Sequence, residues 1–373
     1  MFSISFTYND AFRLTDQIGD IHMKKAKIGV IGAGCWATEF HIPHLKERDD
    51  VELTSVCKLE EDELQFVKDK FGFKHASTDY IEMLDMEQLD GVVIATPHFA
   101  HFENIKAALE RGCHVLVEKP MTTNTKDALE VEKILKEKNV ELFTPYGFNW
   151  NPLMAKAEDF VAQGLLGEIQ HVDTSFSSSL VDLFQGVPLS ESDDHTFKPK
   201  SSTWSDPSKA GGYGWGQLSH MFAGVYKVTK LTPDKVFCMS VPSPSGVDYT
   251  DAISVRFKEG STGAFSGCAF VPKGYGGGYN IRVHGDKGSL FLDFEINRER
   301  LLVRTNDGKE IKEDAAVGSG THAYTTQKPI NTLVDICLGK EYTNHGDINI
   351  NLKMVRTLDA AYRSMKSEKL EIA

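Results

Sequence analysis

Short apolar runs alternate with longer amphipathic stretches between Lys27 and about Thr144. The apolar runs are rich in β-branched residues and predict strands at 27–31, 52–57, 91–95, 113–117 and 141–144. The stretches between them have helical spacing, and predict helices at 39–46, 61–71, 102–111 and 125–138. This alternation predicts βαβ units, and therefore a parallel sheet covered by helices on both faces.

The pattern changes after Asn151. A helix is predicted at 154–163 and another, closing helix at about 350–366. Between them lie strands at 167–174, 235–241, 252–258, 262–271, 279–284, 289–294 and 301–305. Their period-two alternation predicts a mostly antiparallel sheet, with one face on helices and the other available to a partner subunit. The long connection 181–216 is rich in Ser, Asp, Pro, Lys and Gly, and we interpret it as a substrate lid.

A glycine-rich turn, Gly32-x-Gly34-x-x-Ala37, directly follows the first strand and precedes a helical pattern. Gly32 allows the tight turn, Gly34 lets the backbone approach phosphates, and Ala37 lets helix and strand pack closely. The amides at the helix start, those of Cys35 and Trp36 included, face the anion with the helix dipole behind them. The turn predicts a dinucleotide site in a Rossmann domain.

The chain is therefore predicted to be an α/β protein of two domains. The dinucleotide-binding domain spans 24–148, and an α+β domain for substrate binding and oligomerisation spans 149–373. Residues 1–23 are predicted to be an extension, and they lack the basic region and apolar core of a signal peptide.

Charge and cysteine usage exclude several classes of function. A net charge of -12 argues against a nucleic-acid partner or an anionic membrane surface. No stretch approaches the length of a membrane-spanning helix. The six cysteines are scattered without zinc spacing, so no metal site is predicted, and they fit reduced thiols in the cytoplasm.

The end of the second strand gives a second signal about the cofactor. Lys58 stands where an acidic residue often binds the ribose of NAD, and a lysine would attract the 2'-phosphate of NADP. Glu60 could still reach a ribose, so NAD stays open although NADP is preferred. Further along, Thr96-Pro97-His98 is expected beside the ribose and nicotinamide. His101 joins these cofactor candidates, although a helix-start or packing contact is its expected role.

Glu118-Lys119-Pro120 ends the fourth predicted strand. With five further motifs it resembles the glucose-fructose oxidoreductase and inositol dehydrogenase (Gfo/Idh/MocA) family. Those motifs are the glycine loop, Thr96-Pro97, 107–112, 146–149 and 284–289. The resemblance implies an NAD(P)-dependent oxidoreductase of carbohydrate metabolism that acts on a sugar, cyclitol or related polyol, and an assembly of two or four chains. It also implies that Glu118 and Lys119 lie near the cofactor, with Lys119 close to the substrate.

The chemistry of Lys119 agrees with that implication. A hydride leaves an H–C–OH carbon only if a base takes the hydroxyl proton, and partial burial would favour a neutral lysine for this task. His220 matches the histidine of the family's second catalytic pair. Gly216 stands where that family commonly has an aspartate, so nothing in the motif orients the imidazole.

Substrate contacts are predicted for Lys119 and His220, and for further residues of polar or aromatic character. Those further residues are Asn149, Trp204, Tyr213 and Gln217. Aromatic faces pack on the C–H face of a pyranose, although such residues also occur in ordinary cores. Two other classes of function stay open. One is a redox-neutral, NAD-dependent glycoside hydrolase or epimerase-like enzyme, and the other is a non-catalytic NADP(H)-binding regulator.

Overall fold

The computed structural model describes residues 24–189, 192–295, 298–314 and 323–373. The predicted extension 1–23 lies outside the described residues. Within them, no helix combines the length and apolar character needed to cross a bilayer. The six cysteines are all described, and all are free thiols.

The first sheet is built from strands β1 (Ala26–Ile31), β2 (Val51–Cys57), β3 (His75–Ser77), β4 (Gly91–Ile94), β5 (His114–Val117) and β6 (Leu142–Phe143). All neighbours pair in parallel, in the order β3-β2-β1-β4-β5-β6. The strand order therefore reverses beside β1, which opens a crevice at the carboxyl ends of β1 and β4.

Helices cover this sheet and connect its strands. They are α1 (Ile42–Lys46), α2 (Glu61–Phe71), α3 (Tyr80–Met86), α4 (His101–Glu110) and α5 (Thr125–Glu137). The parallel sheet and four of these helices were predicted from apolar runs and helical spacing. The sequence analysis missed β3 and α3. In the case of β3, the strand has only three residues, and its sequence, His-Ala-Ser, carries no apolar run.

The second sheet is mostly antiparallel, as predicted. Its strands are β7 (Ile169–Ser177), β8 (Pro233–Pro242), β9 (Asp248–Phe257), β10 (Thr262–Cys268), β11 (Gly278–Gly285), β12 (Gly288–Glu295), β13 (Arg298–Thr305), β14 (Glu310–Asp314) and β15 (Glu371–Ile372). They lie in the order β14-β13-β12-β11-β7-β10-β9-β8-β15, and within the described residues only β7 and β10 pair in parallel. Along β9, buried and exposed positions alternate, so one face packs on helices and the other is open.

The remaining helices are α6 (Pro152–Ala162), α7 (Val181–Phe184), α8 (Ser201–Trp204), α9 (Ser219–Thr229), α10 (Gln327–Cys337) and α11 (Ile348–Ser367). The sequence predicted α6 and α11 but not α7, α8, α9 or α10. Ile330 and Leu333 of α10 pack in the same core as Ile28 and Val93 of the first sheet. A helix from the C-terminal part of the chain thus completes the core beneath the crevice.

Candidate active site at the crevice between the two sheets

The glycine turn has the shape that a pyrophosphate needs. Gly32 has φ +86°, and a Cβ built on it would lie 2.7 Å from the amide nitrogen of Thr96. A Cβ on Gly34 would meet only the carbonyl oxygen of Gly32, at 4.0 Å. Residue 32 must therefore be glycine, while the space beside Gly34 is open and fits the phosphates of a dinucleotide.

The helix that follows begins at Cys35 and contains a π-turn over Ala37–His41 before α1. The N–H of Ile42 donates to the carbonyl of Ala37, five residues back, and Pro43 comes next. A proline has no N–H and crowds the preceding turn, which is a reason for the helix to widen there. No side chain caps the start of the π-turn. The N–H of Thr38 donates to the carbonyl of Gly34, so the amides that can face an anion are those of Cys35 and Trp36 at the start of the helix.

The side chains of this turn lie in separate surroundings and do not converge on one site. Trp36 is 37% exposed and its ring packs on Phe40, with centroids 4.3 Å apart. The Sγ of Cys35 lies 3.3 Å from Nδ1 of His195, and burial raises the pKa of this thiol to about 11. Ala37 is fully buried. These side chains are therefore engaged elsewhere, and the predicted phosphate contact is left to the backbone of the turn as a prediction.

His101 begins α4 and is fully buried. Its Nδ1 lies 2.7 Å from the carbonyl oxygen of Pro120, and its Nε2 lies 2.8 Å from that of Thr96. Burial lowers the pKa of this imidazole, against the effect of the two carbonyls. His101 therefore joins the ends of β4 and β5. Any effect of this residue on the cofactor passes through the loops of Thr96 and Pro120.

Glu118 fixes the end of β5 against the first helix. Its Oε1 lies 2.8 Å from Nε2 of His41, and its Oε2 accepts the N–H of Lys119. Burial alone would raise the pKa of this carboxyl, but the His41 contact and the Lys119 charge outweigh it and hold the pKa below its usual value. Glu118 is thus a buried carboxylate that orients Lys119 through the backbone.

Lys119 lies at the carboxyl end of β5, partly buried. Its Nζ donates to the carbonyl oxygen of Gly216 at 2.6 Å and lies 4.9 Å from the ring centre of Trp204. Burial lowers the pKa of this amine to about 8, although the Glu118 charge opposes the shift. A neutral amine is therefore accessible close to physiological pH, as general base chemistry requires.

Trp204 fills the space left by the missing side chain at Gly216. A Cβ on Gly216 would lie 2.7 Å from Cζ3 of this indole. With Trp204 in this position there is no room for the family's aspartate. The ring of His98 also contacts the indole, edge-on, with ring centroids 5.1 Å apart. Its Nδ1 donates to the carbonyl of Ala210, and burial and the Lys119 charge lower the pKa of His98 to about 3.

His220, on α9, is 5% exposed and sits in an aromatic cage. The cage consists of Tyr146, Phe148, Phe176 and Tyr324. Its Nδ1 is buried and has no hydrogen-bond partner among the described residues. Burial, and then the Lys119 charge, lower the pKa of this imidazole well below its usual value. His220 is therefore neutral at physiological pH and carries an unpaired polar atom. Sequence reasoning missed the cage, because only Tyr146 and Phe148 are neighbours in the chain, and Phe176 and Tyr324 lie far from them and from His220.

Lys58, the residue behind the NADP preference, is buried and already paired. Its Nζ lies 3.1 Å from Oε2 of Glu60 and 2.8 Å from Oε2 of Glu63. Contacts with Lys200 and Lys58 lower the pKa of Glu60 to about 2. The end of β2 therefore presents carboxylates together with the lysine.

The predicted substrate residues differ in their access to the crevice. Asn149 and Tyr213 are buried: the Asn149 amide donates to the carbonyl of His345, and the Tyr213 hydroxyl donates to that of Phe176. In this conformation neither offers a surface to a substrate, so their direct contacts do not fit. Gln217 and Trp204 are partly exposed, and their contacts with substrate remain predictions.

Two family sequence models match the chain. The "Oxidoreductase family, NAD-binding Rossmann fold" model matches residues 26–146. The "GFO/IDH/MocA C-terminal domain" model matches residues 154–291. Together they cover the first sheet and the strands β7 to β11 of the second sheet, and the second match ends within β12.

Similar proteins include dehydrogenases of sugars and cyclitols. D-xylose 1-dehydrogenase (NADP(+)) 2 of Haloferax volcanii is 27% identical over 240 residues, which are 63% of this chain and 66% of that protein. Myo-inositol 2-dehydrogenase of Thermotoga maritima is 26% identical over 288 residues, which are 75% of this chain and 78% of that protein. The chain spans 38 to 66% of the length of four curated relatives, the xylose dehydrogenase among them.

Solved structures share the whole architecture. Levoglucosan dehydrogenase in complex with NADH superposes with a TM-score of 0.75 at 17% identity, covering 94% of this chain and 99% of that chain. At this level of identity the likeness establishes the fold.

Proposed function

Because the chain belongs to the GFO/IDH/MocA oxidoreductase family, we propose that it is an NAD(P)-dependent oxidoreductase acting on a CH–OH group of a sugar, cyclitol or related polyol. The observation that carries the proposal is the environment of Lys119. This amine ends β5, lies within hydrogen-bond distance of Gly216 and has its pKa lowered to about 8. In the parallel sheet β5 lies two positions from β1, so Lys119 and the glycine turn both follow strands at the same edge of the sheet.

Lys119 acts as the general base during oxidation. In its neutral form one N–H donates to the carbonyl of Gly216, which leaves the lone pair of Nζ for the proton of the substrate hydroxyl. In the reverse direction the ammonium donates that proton back to the forming alkoxide. The nicotinamide, when bound, accepts or supplies the hydride.

His220 orients the substrate rather than exchanging a proton at neutral pH. The low pKa of this imidazole makes it a poor base there, and its cage excludes water. A substrate hydroxyl would meet the imidazole on the 5% of this residue that stays exposed, while the buried and unpaired Nδ1 stays inside the cage. The lack of a carboxylate at Gly216 thus changes the role of the histidine without removing it.

NAD is the cofactor that the end of β2 fits better, contrary to the preference from the sequence. Glu60 and Glu63 already neutralise Lys58. A 2'-phosphate would bring two negative charges beside these carboxylates, whereas a ribose diol can donate hydrogen bonds to them.

Cofactor reduction by the purified protein tests this function. NAD and NADP are supplied separately with a panel of sugars, cyclitols and glycosides, and Lys119→Ala is the matched variant. We expect turnover on at least one polyol, faster with NAD, and lost in the variant. Cofactor binding without turnover on the panel would contradict the dehydrogenase and leave a redox-neutral or sensing protein. Equal turnover in the variant would remove Lys119 from the mechanism.

A further inference from the structure

Residues 192–200, which we call the strap, come from the connection between β7 and α9 in the second half of the chain. They nevertheless contact the first domain at two separate places along the crevice. One place is the phosphate turn after β1, and the other is the end of β2. In a Rossmann domain these two places hold the pyrophosphate and the adenosine ribose.

At the phosphate turn the strap makes two polar contacts. The Nδ1 of His195 lies 3.3 Å from the Sγ of Cys35. The backbone N–H of Thr196 donates to Oε1 of Glu39 at 2.7 Å. Both partners belong to the first turns of the helix whose amides face the open space beside Gly34.

At the ribose end the strap contributes an aromatic ring and a charge. The ring centre of Phe197 lies 4.7 Å from Nζ of Lys58 and 6.2 Å from the ring of Phe66. Lys200 pairs with the carboxylate of Glu60. The strap therefore covers the residues that determine the choice between NAD and NADP.

Beside Gly34 the groove stays open, since a Cβ there would meet only the carbonyl oxygen of Gly32, at 4.0 Å. The same connection continues to Trp204 over Lys119 and to Ala210, whose carbonyl accepts from His98. One segment thus runs along the crevice from the adenosine end to the proposed base.

We propose that the strap retains the bound dinucleotide, with His195 contacting the pyrophosphate side and Phe197 closing the adenosine side. The inference rests on the proposed function, because it needs a dinucleotide in the groove. Release then requires the strap contacts to open, so the cofactor leaves more slowly than from an uncovered Rossmann groove. Slow release suits an enzyme that uses one cofactor molecule for successive half-reactions.

The test is the rate of NADH release, measured by stopped-flow fluorescence with excess NAD as competitor. We expect Phe197→Ala to release NADH about tenfold faster than the unaltered protein, and His195→Ala several-fold faster. Lys198→Ala is the matched control, because Lys198 is an exposed strap residue that pairs only with Asp193 among the described residues. The control should release NADH at the original rate. Melting temperatures without cofactor identify a variant that has simply lost stability.

Hydrogen exchange gives a second readout that needs no turnover. Saturating NADH should slow the exchange of strap amides in the unaltered protein. Equal release rates in all variants, or tighter binding by Phe197→Ala, would overturn the strap proposal alone. Failure of the unaltered protein to bind either dinucleotide would overturn the proposed function, and the strap with it.

Discussion

Replacing Gly216 by alanine tests the packing at the centre of the proposed site. The new Cβ would lie 2.7 Å from Cζ3 of Trp204. Ordinary van der Waals contact begins at 3.4 Å, so the two atoms would be about 0.7 Å too close. Overpacking of this size costs about 1–3 kcal/mol, and the gain in helix propensity returns about 0.5–1 kcal/mol. We therefore expect Gly216→Ala to lower the free energy of unfolding by about 0–2.5 kcal/mol.

Combining Gly216→Ala with Trp204→Ala tests whether the contact with the indole causes the loss of stability. Without the indole the alanine at 216 has room, so the same change should be neutral or stabilising by up to about 1 kcal/mol. Urea denaturation of the four proteins in the cycle should give a coupling energy of about 1–3 kcal/mol between the two positions. Additive effects within about 0.5 kcal/mol would refute the claim that Trp204 occupies the place of the family's aspartate.

Two further predictions concern the cofactor and the histidine. The double change Glu60→Gln with Glu63→Gln removes the carboxylates that neutralise Lys58. The ratio of NADP affinity to NAD affinity should therefore rise by about tenfold or more in equilibrium titrations. An unchanged ratio would show that these carboxylates do not decide the choice of cofactor. His220→Gln keeps a hydrogen-bonding group in the cage, and it should lower kcat/KM. The dependence of kcat/KM on pH between 6 and 8 should stay the same, because the pKa of His220 is already far below that range. A histidine inflection near pH 6.5 that disappears in this variant would contradict the neutral role.

Much of the fold follows from local patterns in the sequence. β1, β2, β4 and β5 are short apolar runs, and the parallel sheet needs little else. β3 and α10 were missed for different reasons. β3 has no apolar run. The apolar residues of α10 do have helical spacing, so this helix could have been predicted, and only its place against the first sheet depends on long-range packing.

The site was predictable only as far as its motifs reach. Gly32, Gly34 and Lys119 belong to local motifs, and the structure brings them to one crevice. Lys58 shows the limit of such reasoning, since its partner Glu63 lies in the first turn of α2 and neutralises the charge on which the NADP preference rests. A motif records which residue follows a strand, but not what that residue touches.

Trp204 is a second case of this limit. The sequence shows a glycine at 216, and only the folded chain shows an indole in the vacated space, 4.9 Å from Nζ of Lys119. The strap is a third, because its contacts join residues more than 130 positions apart. Long-range packing of this kind leaves no periodic signal in the sequence.

The pH dependence of substrate oxidation, compared between the unaltered protein and Lys119→Ala, tests the central claim most directly. Because burial lowers the pKa of Lys119 to about 8, the neutral base accumulates as the pH rises through that value. The account predicts that kcat/KM increases up to about pH 8 and then levels. In Lys119→Ala it should fall about 10²–10⁴-fold and lose that inflection, with NADH affinity nearly intact. A variant that keeps both the rate and the inflection would contradict the account.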